Sequence, residues 1–202
     1  MRTPSFERVC NNAGVFAPAD HEGRRAAIIP AALEILATAG SSALTVHRVS
    51  AAAGIPPSTY RYTYATQRAV KIDVLGAIAA AIRERARAAA TPREALLDLL
   101  PLTPQRRNEV LVVHALSADA LHDEEIRAAW RQVSDAMAEI CEAAIKEGGG
   151  EVRPGDVQRL HSLVDGLNSR ILLSSDPQSS EKARQLVAGA LMATWRAIAT
   201  PG

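Results

Sequence analysis

A sharp turn between two short helical segments constrains this chain more than any other feature. From Leu44 to Val70 it reads LTVHRVSAAAGIPPSTYRYTYATQRAV. The spacing predicts a helix over Val46–Ala53, with Val46, Val49 and Ala53 on one face and Thr45 positioned to cap its first turn. Gly54 suits the left-handed exit of a helix, and Ile55 is apolar enough to plug the angle that follows. Pro56 and Pro57 then forbid continuation but tolerate a new first turn, where proline's missing N–H has no intrahelical partner to lose. A second short helix, Pro57 to about Tyr64, follows.

The composition of that second helix is unusual. It has hydroxyls (Ser58, Thr59, Thr63), one guanidinium (Arg61) and three tyrosines, with no acid and no aliphatic side chain after the prolines. A solvated helix more often mixes Glu with Lys, and a core helix carries Leu. Short hydroxyls and an arginine on a helix behind a tight turn suit phosphates and base edges in a DNA major groove. The candidate DNA-contacting residues are Thr45, Arg48, Pro57, Ser58, Thr59, Arg61, Tyr62, Thr63 and Gln67. Arg48 lies opposite the Val46/Val49 stripe. Tyr60 and Tyr64, four apart, are expected to pack the helix onto its neighbours, and Thr63 has either role open to it. Charge agrees: residues 1–71 hold eight Lys/Arg against four Asp/Glu, whereas the whole chain carries only +1.

These residues resemble the DNA-binding domain of the TetR family of transcriptional regulators. The likeness lies in Thr45-Val46, in Ala52-Ala53-Gly54-Ile55, in a hydroxyl-rich helix ending on an aromatic residue (Tyr64), and in Ala65-Thr66-Gln67-Arg68 opening the next helix. The chain departs from the family pattern at Pro56, where a serine cap is common, at Gln67, where lysine is common, and at Tyr64, where phenylalanine is usual. Further on, Leu163-Val164-Asp165-Gly166-Leu167 with Leu172-Leu173-Ser174 resembles the penultimate helix of many regulatory domains of that family. The resemblance spans about residues 24 to 200.

The rest of the chain reads as all-α. Apolar residues make up 48% of it but aromatics only 3%, so the core is built from Ala, Leu, Val and Ile, at 3- and 4-residue spacing with few alternating runs. Helices are expected over Arg24–Ala39, Thr66–Ala90, Pro92–Leu100, Pro104–Ala120, Asp123–Glu147, Pro154–Leu173 and Ser180–Ala199, which with the two short ones gives about nine. Gly148-Gly149-Gly150 is expected to form a flexible loop. The apolar middle of Pro104–Ala120 is expected to be buried on more than one side. Arg24 and Arg25 oppose the dipole at the start of their helix, which leaves either a solvated pair or a phosphate contact. Residues 1–22 read as a flexible N-terminal tail, 23–70 as a helix-turn-helix domain, and 71–202 as a regulatory domain for ligand binding and dimerisation.

What the resemblance implies is a sequence-specific DNA-binding regulator, a repressor whose DNA affinity a small-molecule effector lowers. It implies a homodimer on a palindromic double-stranded operator, with the long helix after the DNA-binding domain transmitting ligand occupancy. The dimer contacts would come from Leu163, Gly166, Leu167, Ile171, Val187, Leu191 and Trp195 on the last two helices. Gly166 costs about 1 kcal/mol against alanine in mid-helix, which points to close approach of another helix. A pocket between the long helices would draw on His114, Trp130, Met137, His161, Asp165 and Asn168, with aliphatic neighbours that favour an apolar or amphipathic molecule. The alternative is an all-helical dimeric interaction protein with weak or no specific DNA binding. No enzyme is expected: there is no Gly-rich phosphate loop and no clustered metal spacing, and His161 with Asp165, at i and i+4, is accounted for as a helix-surface pair. No cofactor and no metal are expected. Cys10 and Cys141 lack paired spacing, and no apolar run is long enough for a membrane span or a secretion signal, which together suggest a cytoplasmic protein.

Overall fold

The computed structural model describes residues 21–148, 152–174, 185, 188–189 and 192–198. The expectations for residues 1–20 and for Val187 and Leu191 lie outside the described residues. Among those described there are only helices and turns: α1 (His21–Ala39), a 3-10 turn (Ser41–Ala43), α2 (Val46–Ala52), α3 (Pro57–Thr63), α4 (Gln67–Ala88), α5 (Pro92–Asp98), α6 (Pro104–His122), α7 (Glu124–Glu147) and α8 (Asp156–Leu173). Residues 192–198 are again helical. No described helix is long and apolar enough to cross a membrane.

Most helix starts are written in the sequence as side-chain caps. Thr45, Thr66, Thr91 and Thr103 each accept a hydrogen bond from the backbone N–H three residues on, at 3.2–3.3 Å, and Asp123 accepts from Glu125 and Ile126. Pro57, Pro92 and Pro104 occupy first-turn positions. α3 has no side-chain cap, because Pro56 stands where a hydroxyl would serve. Gly54 takes φ 65° in the α2–α3 turn, a conformation in which a β-carbon is strained. α1 begins at His21, so His21 and Glu22 belong to a helix rather than to a tail.

Helices α1 to α3 pack around Ile28, Ala32, Leu36, Leu44, Val49 and Tyr60, all buried, and this core runs on into Val70, Val74 and Leu75 of α4. α4 and α7 share the most extensive helix pairing, with α5, α6 and α8 also on α7. α7 supplies Ile126, Val133, Met137, Ile140, Cys141 and Ile145 from one stripe. The Cys141 thiol is pushed up to about 12, first by burial and then by the charge of Asp165. The Trp195 indole N–H donates to the Ala144 carbonyl at 2.6 Å, which anchors residues 192–198 on α7.

α6 departs from expectation. Arg106, Glu109, Val112, Leu116 and Ala120 form one buried stripe, while Val110, Leu111 and Val113 are half-buried and Leu121 is 71% exposed. The apolar middle of this helix lines a cavity instead of packing on a second side.

Candidate nucleic-acid face and ligand cavity

Arg48, Ser58, Arg61, Tyr62 and Gln67 are exposed on neighbouring parts of α2, α3 and the start of α4. Ser58, Arg61 and Tyr62 sit at i, i+3 and i+4, hence on one face of α3. Pro57 opens that helix and is exposed, and Thr59 is half-buried. Thr45 uses its hydroxyl to cap α2, and the Thr63 hydroxyl donates to the Thr59 carbonyl at 2.9 Å, so both are occupied locally. Residues 35–72 contain no Asp or Glu.

Both arginines of α1 have partners within the chain, Arg24 buried and Arg25 exposed. The Arg24 guanidinium lies 5.3 Å from the centre of the Tyr62 ring and is 8% exposed. Cation–π attraction of this kind holds an aromatic side chain in one place. Tyr62 itself is 77% exposed, so α1 fixes a tyrosine that presents itself to solvent. Arg25 stacks on Tyr64 and pairs with Asp73, which also accepts from the Tyr64 hydroxyl at 2.6 Å. Burial and that carboxylate raise the Tyr64 phenol. Tyr60 and Tyr64 touch with ring centres 6.0 Å apart and face the core, as their spacing suggested.

A second feature lies among α4, α6, α7 and α8. A cavity of about 180 Å³ is walled mainly by aliphatic side chains, including Ile78, Ile82, Val110, Val113 and Val133. His114, Trp130, Met137, Asp165 and Asn168 all line it. His161 does not: it stands beside the cavity, its Nε2 3.7 Å from Asp165 Oδ2. The Asp165 side chain is 55% exposed, and the partial desolvation it undergoes at the cavity raises its carboxyl, against the opposing pull of His161 and His114. Two polar atoms here are buried without a partner among the described residues, Asn168 Oδ1 and Trp130 Nε1.

One wall is ionic, and little in the residue pattern signals it. Arg85 of α4 donates to Asp98 at 2.6 Å and to Glu109 at 2.9 Å, while Arg106 donates to both Glu109 oxygens at 2.6 and 2.7 Å and lies 3.3 Å from Asp98. The four side chains form a closed, electrically neutral ring. The i, i+3 spacing of Arg106 and Glu109 was the available signal; Arg85 was hidden among the charges that close α4.

Asp119, at the far end of α6, joins this part of the molecule to the helices before it. Its carboxylate accepts from Ser41 at 2.6 Å and from Lys71 at 3.0 Å. Burial acts to raise its pKa, but these donors prevail and hold it below the usual carboxylate range. A carboxylate depressed in the folded state stabilises above its unfolded pKa, and that contribution fades as pH falls through the folded value. Asp119→Asn is therefore expected to be less stable than the parent by a constant margin from pH 5 upward, a gap that narrows in acid. Urea titrations between pH 2 and 7 test this; a gap unchanged at pH 2–3 would contradict it.

The residues expected between subunits divide into two sets. Leu167, Ile171 and Trp195 are already buried within one chain, at 6–8% exposure. Gly166 is exposed, and no described residue lies within 4 Å of where its β-carbon would stand. The close approach expected at this glycine is not made by any described residue. Leu163 is half-buried, and Leu173, at the end of α8, is 82% exposed.

Comparison with known proteins completes the picture. Residues 83–196 match the family model of the BetI-type transcriptional repressor C-terminal domain. Among curated proteins, none matches the sequence significantly. Solved structures share the fold. A chain from Rhodococcus sp. assigned to the TetR-family transcriptional regulators is 25% identical, with a TM-score of 0.67 over 86% of this chain and 99% of that one. A regulator from Saccharomonospora viridis, in complex with choline, is 20% identical, with a TM-score of 0.66 over 85% and 96%. The multidrug binding protein EbrR, complexed with ethidium, is 21% identical, with a TM-score of 0.60 over 83% and 97%. With more than half of its length matched by a family model and a helical fold shared with such regulators, the chain belongs to the TetR family of transcriptional regulators and carries a BetI-type C-terminal domain.

Proposed function

We propose that this protein is a homodimeric repressor that binds palindromic duplex DNA through α2 and α3 and is released by a small molecule held in the α4–α8 cavity. The observation that carries the DNA reading is the exposed face of Arg48, Ser58, Arg61 and Tyr62, with Tyr62 held in place by Arg24 and no carboxylate between residues 35 and 72. Such a face presents cations and hydroxyls to phosphate and an arginine to base edges. The effector reading rests on the apolar cavity with its unpartnered polar atoms, and agrees with the choline and ethidium complexes of the fold neighbours. The outer face of α8, where no described residue approaches Gly166 and Leu173 is exposed, suits a second copy, and twofold symmetry suits a palindrome.

Two helices connect the proposed sites. α4 contributes Ile78, Ile82 and Arg85 to the cavity and begins directly after α3. α6 contributes Glu109, Val110, Val113 and His114, and ends near Asp119, which grips Ser41 and Lys71. A ligand that fits the cavity in only one setting of these helices shifts the balance between a DNA-competent and an incompetent spacing, by as much as its affinities for the two differ.

Selection from a library of random duplexes at moderate salt tests the proposal. The expected result is a palindrome bound by a dimer, with affinity falling steeply as salt rises. Recovery of nothing above non-specific background would remove the DNA-binding reading.

A further inference from the structure

The cavity also shows which kind of molecule it favours, an inference that rests on reading it as the effector site. Two guanidiniums and three carboxylates line it, leaving one negative charge when the histidines are neutral. The surplus is localised. Arg85 and Arg106 are both engaged by Asp98 and Glu109, so neither is available to an anion without breaking the ring. Asp165 stands outside the ring, and its one ion-pair partner among the described residues is the histidine beside it. The remaining polar demand comes from two atoms without a partner among the described residues: the Asn168 Oδ1, an acceptor on a side chain 4% exposed, and the Trp130 indole N–H, a donor that an ether or hydroxyl oxygen of the same ligand would meet. A buried acceptor left unmet is costly, and a ligand that supplies a donor recovers that cost. Trp130 offers an indole to the same space, and indole attracts cations.

We propose that the cavity selects an apolar organic monocation bearing a hydrogen-bond donor, with Asp165 as its counter-ion and the Asn168 amide oxygen accepting from the donor. Aliphatic walls take the hydrophobic body, and carboxylates, phosphates and sulfonates are excluded.

Three matched probes test this with the intact protein: [3-(hydroxymethyl)phenyl]trimethylammonium, its uncharged analogue 3-tert-butylbenzyl alcohol, and 3-(hydroxymethyl)benzenesulfonate. Calorimetric titration at pH 7.5 is expected to show the cation binding at least about tenfold tighter than the alcohol, about 1.4 kcal/mol, with no saturable binding of the sulfonate. Asp165→Asn should remove most of that advantage while leaving the alcohol within about twofold. Asp165 is exposed on α8, so the substitution spares the core. None of the probes titrates in this range, so any pH effect belongs to the protein. Cation affinity should fall as the pH is lowered from 7.5, because protonation of Asp165 removes the attraction; His161 and His114 face the same carboxylate, and positive charge on either opposes the cation. Arg85, Arg106, Asp98 and Glu109 also line this space, but they are tied to one another. Equal or tighter binding of the alcohol, saturable binding of the sulfonate, or a cation affinity untouched by Asp165→Asn would overturn the charge preference while leaving the cavity a binding site. Failure of all three probes at millimolar concentration would overturn the cavity reading and the proposal with it.

Discussion

Replacing Glu109 by alanine is expected to lower the unfolding free energy by about 3–5 kcal/mol, the usual cost of leaving a buried charge without its partner. Glu109 is 7% exposed and takes hydrogen bonds from both Arg85 and Arg106. Without it Arg106, itself 8% exposed, keeps only the longer contact to Asp98, and Arg85 must be balanced by that same carboxylate. The informative comparison is the double variant Arg106→Met with Glu109→Met. It removes one cation and one anion together and leaves Arg85 paired with Asp98, so it is expected to fall within about 1–2 kcal/mol of the parent. Urea unfolding of the single and double variants measures both. If Glu109→Ala costs less than about 1 kcal/mol, water reaches the ring and screens it, and the neutral wall assumed for the cavity is not a dry one.

That ring marks where sequence reasoning stops. Helix existence was legible because period, caps and breakers agree at most boundaries: four threonines and Asp123 stand at observed N-caps. The α2–α3 turn was legible for a similar reason, since Gly54 alone tolerates the left-handed exit without strain and Pro57 fixes the φ of a first helical turn. Periodicity also identified the inner face of α7. It misjudged the middle of α6, because a helix with apolar residues on two sides looks the same from sequence whether the second side meets another helix or a cavity.

The candidate pocket was readable to the extent that a polar residue on an apolar stripe signals something to be satisfied. His114, Trp130, Met137, Asp165 and Asn168 do converge on one space. His161 shares a helix face with Asp165, but helical spacing does not say which of two neighbours turns inward. Arg85, Asp98, Arg106 and Glu109 were missed because charged residues near helix ends are ordinarily solvated, and only the tertiary fold pairs α4 with α5 and α6. The Arg24 contact was missed for the same reason: position in its helix suggested a phosphate or water and did not say that α3 brings Tyr62 under its guanidinium.

Arg61→Ala should weaken binding to the selected operator by about 2 kcal/mol or more, roughly thirtyfold, because a dimer loses the contact twice and a good arginine contact is worth about 1–3 kcal/mol. Arg61 is exposed on the same face of α3 as Ser58 and Tyr62. Surface substitutions away from such partners change stability by about 0.5 kcal/mol or less, so the melting temperature and the dimer should be unaffected, and lost affinity is then a loss of contact rather than of fold. Salt dependence tells which contact it was. A phosphate contact contributes about 0.9 to the slope of log K against log salt, so losing two lowers the slope by about 2 and weakens all sequences alike. A base contact leaves the slope nearly intact and relaxes selectivity at one position in each half-site. Tyr62→Ala supplies the companion measurement, since it removes the ring that Arg24 holds. If Arg61→Ala leaves operator affinity unchanged, the DNA face does not run through the centre of α3 and must be redrawn around Arg48 and Gln67.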